Sequence, residues 1–197
     1  MSPPPALGVA AERFRGEPSM PNPSAAVPLR DLVLGGARSG KTSVALARAE
    51  ASGLKPVMVA TAEAFDDEME RRIAAHRAER GAHWGLVEET TDLSGVLDRE
   101  SAPDRILVVD CLTLWLSNLM AGERSVEAEI DGLVGALGRV RGPVILVSNE
   151  VGLGIVPENA LARRFRDLQG LANRKTAAAA DRVTLVVAGL EMVAKAP

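Results

Sequence analysis

Eight consecutive residues constrain this chain more than any others: Gly35-Gly36-Ala37-Arg38-Ser39-Gly40-Lys41-Thr42. A short apolar run, Leu32-Val33-Leu34, precedes them. An Ala- and Arg-rich stretch, Lys41 to Ser52, follows and is stopped by Gly53. Glycines let a backbone curl so that successive N–H groups face one anion without Cβ obstruction. A helix starting there points its positive end at the same anion. The reading is a phosphate-binding loop between a strand and a helix. Lys41 would reach the β and γ phosphates of a nucleotide, and the Thr42 hydroxyl would ligate Mg²⁺.

A strand, a glycine loop and a helix in that order select a fold in which strands and helices alternate. The remaining chain has that rhythm. Strands are expected at Pro56–Thr61, Trp84–Glu88, Arg105–Asp110, Pro143–Ser148 and Arg182–Ala188, the last clear one. Helices are expected at Asp66–Arg80, Leu112–Met120, Val126–Val140 and Ala160–Ala180, with a glycine-containing loop from Asn149 to Asn159. The almost uninterrupted apolar run before Asp110 is typical of a parallel strand covered on both faces. The expectation is an α/β, P-loop NTPase-type three-layer fold with a mostly parallel central sheet. The loops after Leu34, Thr61, Asp110 and Ser148 should then open into one crevice.

Residues 1–29 stand apart. Pro3, Pro4, Pro5, Pro18, Pro21, Pro23 and Pro28 are seven of the chain's 12 prolines, and such a segment neither propagates a helix nor pairs as a central strand. It reads as a flexible tail before a single catalytic domain, 30–197, with Met20 as an alternative start. The charge of −3 and the 3 % aromatic content argue against a nucleic-acid partner. No apolar run reaches the roughly 18 residues of a spanning helix. One cysteine, Cys111, rules out an internal disulfide and reads as a small buried residue in a reducing, cytoplasmic setting.

Several residues carry two readings. Asp110 ends an apolar strand, where nucleotide-binding loops of this type place the acid that holds Mg²⁺; it is equally placed to cap the helix that follows. His76 lies among Arg72, Arg77 and Arg80. A neutral imidazole can attack an α-phosphate and carry a nucleotide covalently, and nearby arginines disfavour its protonation. Met69, Ile73 and His76 also share one helical face, the pattern of a packed residue. His83, beside Trp84, reads as structural. No Asn-Lys-x-Asp segment occurs, which disfavours a guanine-binding switch; a small-molecule kinase fits the size.

The loop 35–42, the Arg72-Ile73-Ala74-Ala75-His76-Arg77 stretch, the His83-Trp84 to Glu88 segment and, most specifically, residues 149–183 resemble the bifunctional adenosylcobinamide kinase / adenosylcobinamide-phosphate guanylyltransferase family of cobalamin biosynthesis. The resemblance runs from about Leu32 to Gly189. It implies phosphorylation of adenosylcobinamide by ATP or GTP. It also implies transfer of GMP from GTP, through a histidine, to adenosylcobinamide phosphate. His76 matches that histidine. Thr61, Ala62, Glu63, Arg77, Ala78, Glu79, Arg80 and Glu88 match nucleotide-contacting positions. Glu63, Glu88 and Glu150 remain candidates for reading guanine or ribose, with Glu88 preferred. Self-association, with a trimer as candidate, is also implied.

Overall fold

The computed structural model describes residues 30–62, 81, 83–122 and 124–197. The expected tail 1–29 and the expected helix Asp66–Arg80, with His76 in it, lie outside the described residues.

Seven strands form one sheet in the order β3-β2-β4-β5-β1-β6-β7. They are β1 (Arg30–Gly35), β2 (Lys55–Ala60), β3 (Gly85–Glu88), β4 (Arg105–Asp110), β5 (Val144–Asn149), β6 (Arg182–Val187) and β7 (Leu190–Lys195). The first six are parallel and β7 is antiparallel to β6. The described helices are α1 (Lys41–Ala51), α2 (Leu93–Glu100), α3 (Leu112–Ala121), α4 (Val126–Leu137) and α5 (Ala160–Ala179).

The period-2 alternation of the strands divides the core in two. Leu32, Val59, Leu107, Val109, Val144 and Leu146 face one side, under a layer made by α2, α3, α4 and α5 around Trp115 and Leu116. Val33, Met58, Ile106, Val108, Ile145 and Val147 face the other and meet Ala45 and Ala49 of α1. Both faces of the central strands are buried, which explains why Ile106-Leu107-Val108-Val109 shows no polar alternation. Trp115 is fully buried, and its indole N–H donates to Thr91 O at 2.7 Å.

Three differences from the sequence reading have physical causes. α2 was not foreseen, although Asp92 caps it by accepting from Gly95 N at 2.9 Å and Leu93, Val96 and Leu97 form its buried face. Eight residues give only two turns, a short window for a periodic signal. β7 was also not foreseen. Its six residues are all exposed, although Leu190, Met192 and Val193 are apolar, and the turn Ala188-Gly189 that leads into it takes positive φ at both positions (51° and 80°) without the Asn-Gly pair that signals a hairpin. α4 stops at Leu137 rather than Val140, where Gly138 ends it. In α5, Leu161 is 66 % exposed, and the buried face mixes Leu168 and Ala172 with Gln169, Asn173 and Thr176.

Candidate functional site

Parallel strands bring their carboxyl ends to one edge, and the register says which residues meet there. Glu88 pairs with Ala60, Ala60 with Asp110, and Asp110 with Val147. Gly35 pairs with Asn149. The loops after β1, β2, β4 and β5 therefore open on the same side, with β5 between the strand that feeds the glycine loop and the strand that ends in Asp110.

The glycine loop turns tightly. Ser39 N donates to Gly36 O at 3.3 Å. Arg38 and Gly40 have φ of 56° and 93°. A Cβ on Gly35 would lie 2.7 Å from Val186 O and closer still to Ser39 Oγ, whereas one on Gly36 would meet nothing within 4 Å. Gly35 thus permits the loop to pack on β6, and Gly36 leaves its side of the loop open. The turn between β6 and β7 braces the loop from outside, Gly189 N donating to Ser39 O at 2.9 Å.

α1 begins at Lys41 behind Gly40, with no side-chain cap and no acid in its first turn. Its first N–H groups and the positive end of its dipole are left for an outside acceptor. Lys41 Nζ donates to Gly36 O at 3.0 Å. Burial pulls its ammonium below the ordinary lysine value, against the opposing attraction of Cys111 and Asp110. The Ser39 hydroxyl is buried without a hydrogen-bond partner among the described residues.

Thr42 Oγ1 donates to Asp110 Oδ2 at 3.1 Å, across 68 residues of sequence. The residue that caps α3 is Cys111, with no side-chain hydrogen bond, while the Asp110 carboxylate is turned toward the loop. A hydroxyl and a carboxylate side by side are the hard oxygen donors that suit Mg²⁺. Cys111 is buried, and burial, with Asp110 beside it, pushes its thiol up to about 11; it is an inert core thiol at neutral pH.

Thr61 is fully buried. Its hydroxyl donates to Cys111 O at 2.8 Å and accepts from Cys111 N at 2.7 Å, and Asn118 Nδ2 donates to its carbonyl at 2.9 Å. Its polar groups thus join the ends of β2 and β4. Ala62 follows it at the same edge, and Glu88 is exposed at the end of β3. His83 Nε2 lies 3.0 Å from Glu50 and Trp84 Nε1 donates to the same carboxylate at 2.6 Å, which fits the structural reading of that pair. These bonds, that from Trp84 first, hold the Glu50 carboxyl below its ordinary range. Glu63, His76, Arg77, Ala78, Glu79 and Arg80 lie outside the described residues.

The sequence reading passed over a polar group behind the same edge. Ser148, Gln169 and Asn173 are buried. Ser148 Oγ donates to Asn173 Oδ1 at 2.6 Å, and Gln169 Nε2 donates to Ser148 Oγ at 2.9 Å. The available signal was a polar pair, Ser148-Asn149, closing an apolar strand, with Gln169 and Asn173 one helical turn apart on α5.

A phosphate-binding loop, its lysine and a strand-end acid on a mostly parallel sheet define an α/β protein of the P-loop nucleotide-binding class. The same fold appears in a solved structure from Pyrococcus horikoshii OT3, with a TM-score of 0.52 at 12 % identity, covering 85 % of this chain and 86 % of that one. The family described as cobinamide kinase / cobinamide phosphate guanyltransferase matches residues 31–194, and the chain belongs to that family. It is 48 % identical over 169 residues to the bifunctional adenosylcobalamin biosynthesis protein CobP of Pseudomonas aeruginosa (85 % of this chain, 98 % of the relative). It is 41 % identical over 174 residues to the bifunctional adenosylcobalamin biosynthesis protein CobU of Salmonella typhimurium (81 % and 96 %).

Proposed function

We propose that this enzyme carries out both reactions for which its family is described. It phosphorylates adenosylcobinamide with ATP or GTP. It then transfers GMP from GTP through a histidine to adenosylcobinamide phosphate, giving adenosylcobinamide-GDP. The observation that carries the reading is the 3.1 Å bond between Thr42 and Asp110, which sets a metal-binding oxygen pair beside the loop that holds Lys41.

In the first reaction, N–H groups of the loop Gly35, Gly36, Ala37, Arg38, Ser39 and Gly40 and the start of α1 hold the phosphates, and Lys41 neutralises charge on the transferring group. Thr42 and Asp110 would hold Mg²⁺, which when bound supplies positive charge to the phosphate oxygens. Asp110 also accepts the proton of the attacking hydroxyl. In the second, His76 forms a bond to the α-phosphorus of GTP while the bond to pyrophosphate breaks. The phosphate oxygen of the corrinoid then takes GMP from the imidazole. Thr61, Ala62, Glu63, Arg77, Ala78, Glu79, Arg80 and Glu88 border the nucleotide in this reading. The corrinoid lies across the loop 149–159, where Leu153 and Ile155, 85 % and 97 % exposed, offer an apolar surface to its ring.

The enzyme works as a homo-oligomer in the cytoplasm. No helix among the described residues is long and apolar enough to cross a membrane.

The deciding experiment is the intact mass of the protein after incubation with GTP and Mg²⁺ and no acceptor. A GMP adduct is expected, stable in base and lost in acid, as a phosphoramidate is. His76→Asn is expected to abolish the adduct while cobinamide phosphorylation continues. A wild type that phosphorylates cobinamide and never gains the adduct would be a kinase alone. Loss of both activities in the variant would give His76 a structural role.

A further inference from the structure

Asn149 occupies an unusual position. It closes β5, the strand between β1 and β4, and it pairs in register with Gly35, where the phosphate loop begins. It therefore sits one strand spacing, about 4.8 Å, from the loop, on the edge where Asp110 ends the strand on its other side.

Its main chain is held from several directions. Asn149 N donates to Thr113 Oγ1 of α3 at 2.8 Å, and Asn173 Nδ2 of α5 donates to Asn149 O at 3.0 Å. The next amide, Glu150 N, donates to Gly35 O at 3.1 Å. Asn173 is itself oriented by Gln169 Nε2, 3.0 Å from its Oδ1, and by Ser148. Two helices and the phosphate-loop strand thus fix this one residue through a buried polar network.

These bonds fix the main chain, and the Asn149 side chain makes none of them. Among the described residues, Asn149 Oδ1 is buried without a partner and Nδ2 makes no hydrogen bond. Folding alone disfavours a carboxamide there, because buried polar groups are normally satisfied and an apolar side chain would leave nothing unpaired. Oδ1 is the buried end of the carboxamide, which leaves Nδ2 as an unspent donor, on a fixed main chain beside the phosphate loop, for an oxygen of the substrate. In the same loop, the buried Ser39 hydroxyl is likewise unpartnered.

We propose that Asn149 is a catalytic residue of the phosphorylation step, its carboxamide N–H donating to an oxygen of the transferring γ-phosphoryl group. The inference rests on the kinase reading above. In that step the acceptor oxygen bonds to the γ-phosphorus as the bond to the β–γ bridging oxygen breaks. The nucleoside diphosphate leaves and the hydroxyl proton passes to Asp110. Asn149 forms no covalent bond; it stabilises charge on the phosphoryl oxygens and holds the group in line with the acceptor. Ser148, Gln169 and Asn173 are positioning residues that act through it.

The test is steady-state phosphorylation of cobinamide by Asn149→Ala and Asn149→Leu, with thermal unfolding of the same samples measured with and without nucleotide. Loss of one such donor lowers kcat by about 100-fold with KM for the nucleotide within about twofold. An unfolding midpoint near wild type, raised by nucleotide as in wild type, shows that the variants are folded and bind it. A kcat near wild type in both variants overturns the proposal. So does a loss expressed mainly in KM, or a loss of kinase activity that comes with a lowered unfolding midpoint. Wild type run alongside separates the two levels: an inactive wild type overturns the assigned reaction, whereas an active one with equally active variants overturns the role of Asn149.

Discussion

Gly35 and Gly36 are adjacent and identical, yet the structure asks different things of them. At Gly35 a Cβ would press on Val186 O at 2.7 Å and on Ser39 Oγ. Backbone on β6 cannot move without disturbing the β1–β6 pairing, so Gly35→Ala is expected to cost about 1–3 kcal/mol of stability. At Gly36 nothing lies within 4 Å, and φ is not in the left-handed region. Gly36→Ala is therefore expected to leave the thermal midpoint within about 1 °C of wild type, since substitutions without a steric mechanism change stability little. Its added methyl would stand where phosphate oxygens approach, so nucleotide affinity should fall. Thermal unfolding with and without nucleotide separates the cases. Equal destabilisation of both variants, or full affinity in Gly36→Ala, would remove the distinction.

At the scale of elements, one buried acid ties three of them. Asp31 of β1 is 1 % exposed. It takes Arg48 Nη1 of α1 at 2.8 Å and Arg182 of β6. Arg48 extends the tie to Thr184 at 2.9 Å and to Glu191 of β7. Removing one partner of a buried pair leaves uncompensated charge, so Asp31→Asn is expected to cost about 3–5 kcal/mol. The low end is favoured because Arg182 is 25 % exposed and regains some hydration. A shift of the urea midpoint below that equivalent to 1 kcal/mol would show the network to be ornamental. None of this was legible in the sequence, where Asp31, Arg48 and Arg182 are single polar residues among many and the ties span up to 151 positions. The strands β1, β2, β4, β5 and β6 were legible, because burial on both faces writes itself as an apolar run. β7 was not, because the Ala188-Gly189 turn into it lacks the residue pair that signals a hairpin, although Leu190, Met192 and Val193 are apolar. In the site, Lys41, Thr42 and Asp110 could be read because glycine spacing and a strand-final acid are local signals. Asn149 could not, since its significance lies in β5 standing between β1 and β4, an order that chain position does not reveal.

For the whole molecule, β1 joins the four strands β5, β4, β2 and β3 on one side to β6 and β7 on the other, and an ion pair where β1 meets β6 contributes to how acid affects the fold. Asp181, just before β6, receives Arg30 Nη2 at 2.7 Å, Arg30 Nε at 3.2 Å and Arg30 N at 2.9 Å. These bonds, the side-chain ones first, hold its carboxyl below the ordinary aspartate value of 3.8. A depressed carboxylate stabilises the fold only while it is ionised more readily in the folded than in the unfolded chain. The contribution is complete above 3.8 and drains as pH falls through the lower folded value. Both side chains are under a third exposed, 29 % and 28 %, so solvent screens the pair only in part. Asp181→Asn keeps the shape and loses the charge. Its deficit relative to wild type should be constant from pH 7 to about 5 and should shrink as pH falls to about 3, because wild type alone gives up this interaction. Urea unfolding of both proteins across that range measures it. Curves that stay parallel down to pH 3 would mean that the closure of β1 onto β6 does not depend on this carboxylate's charge.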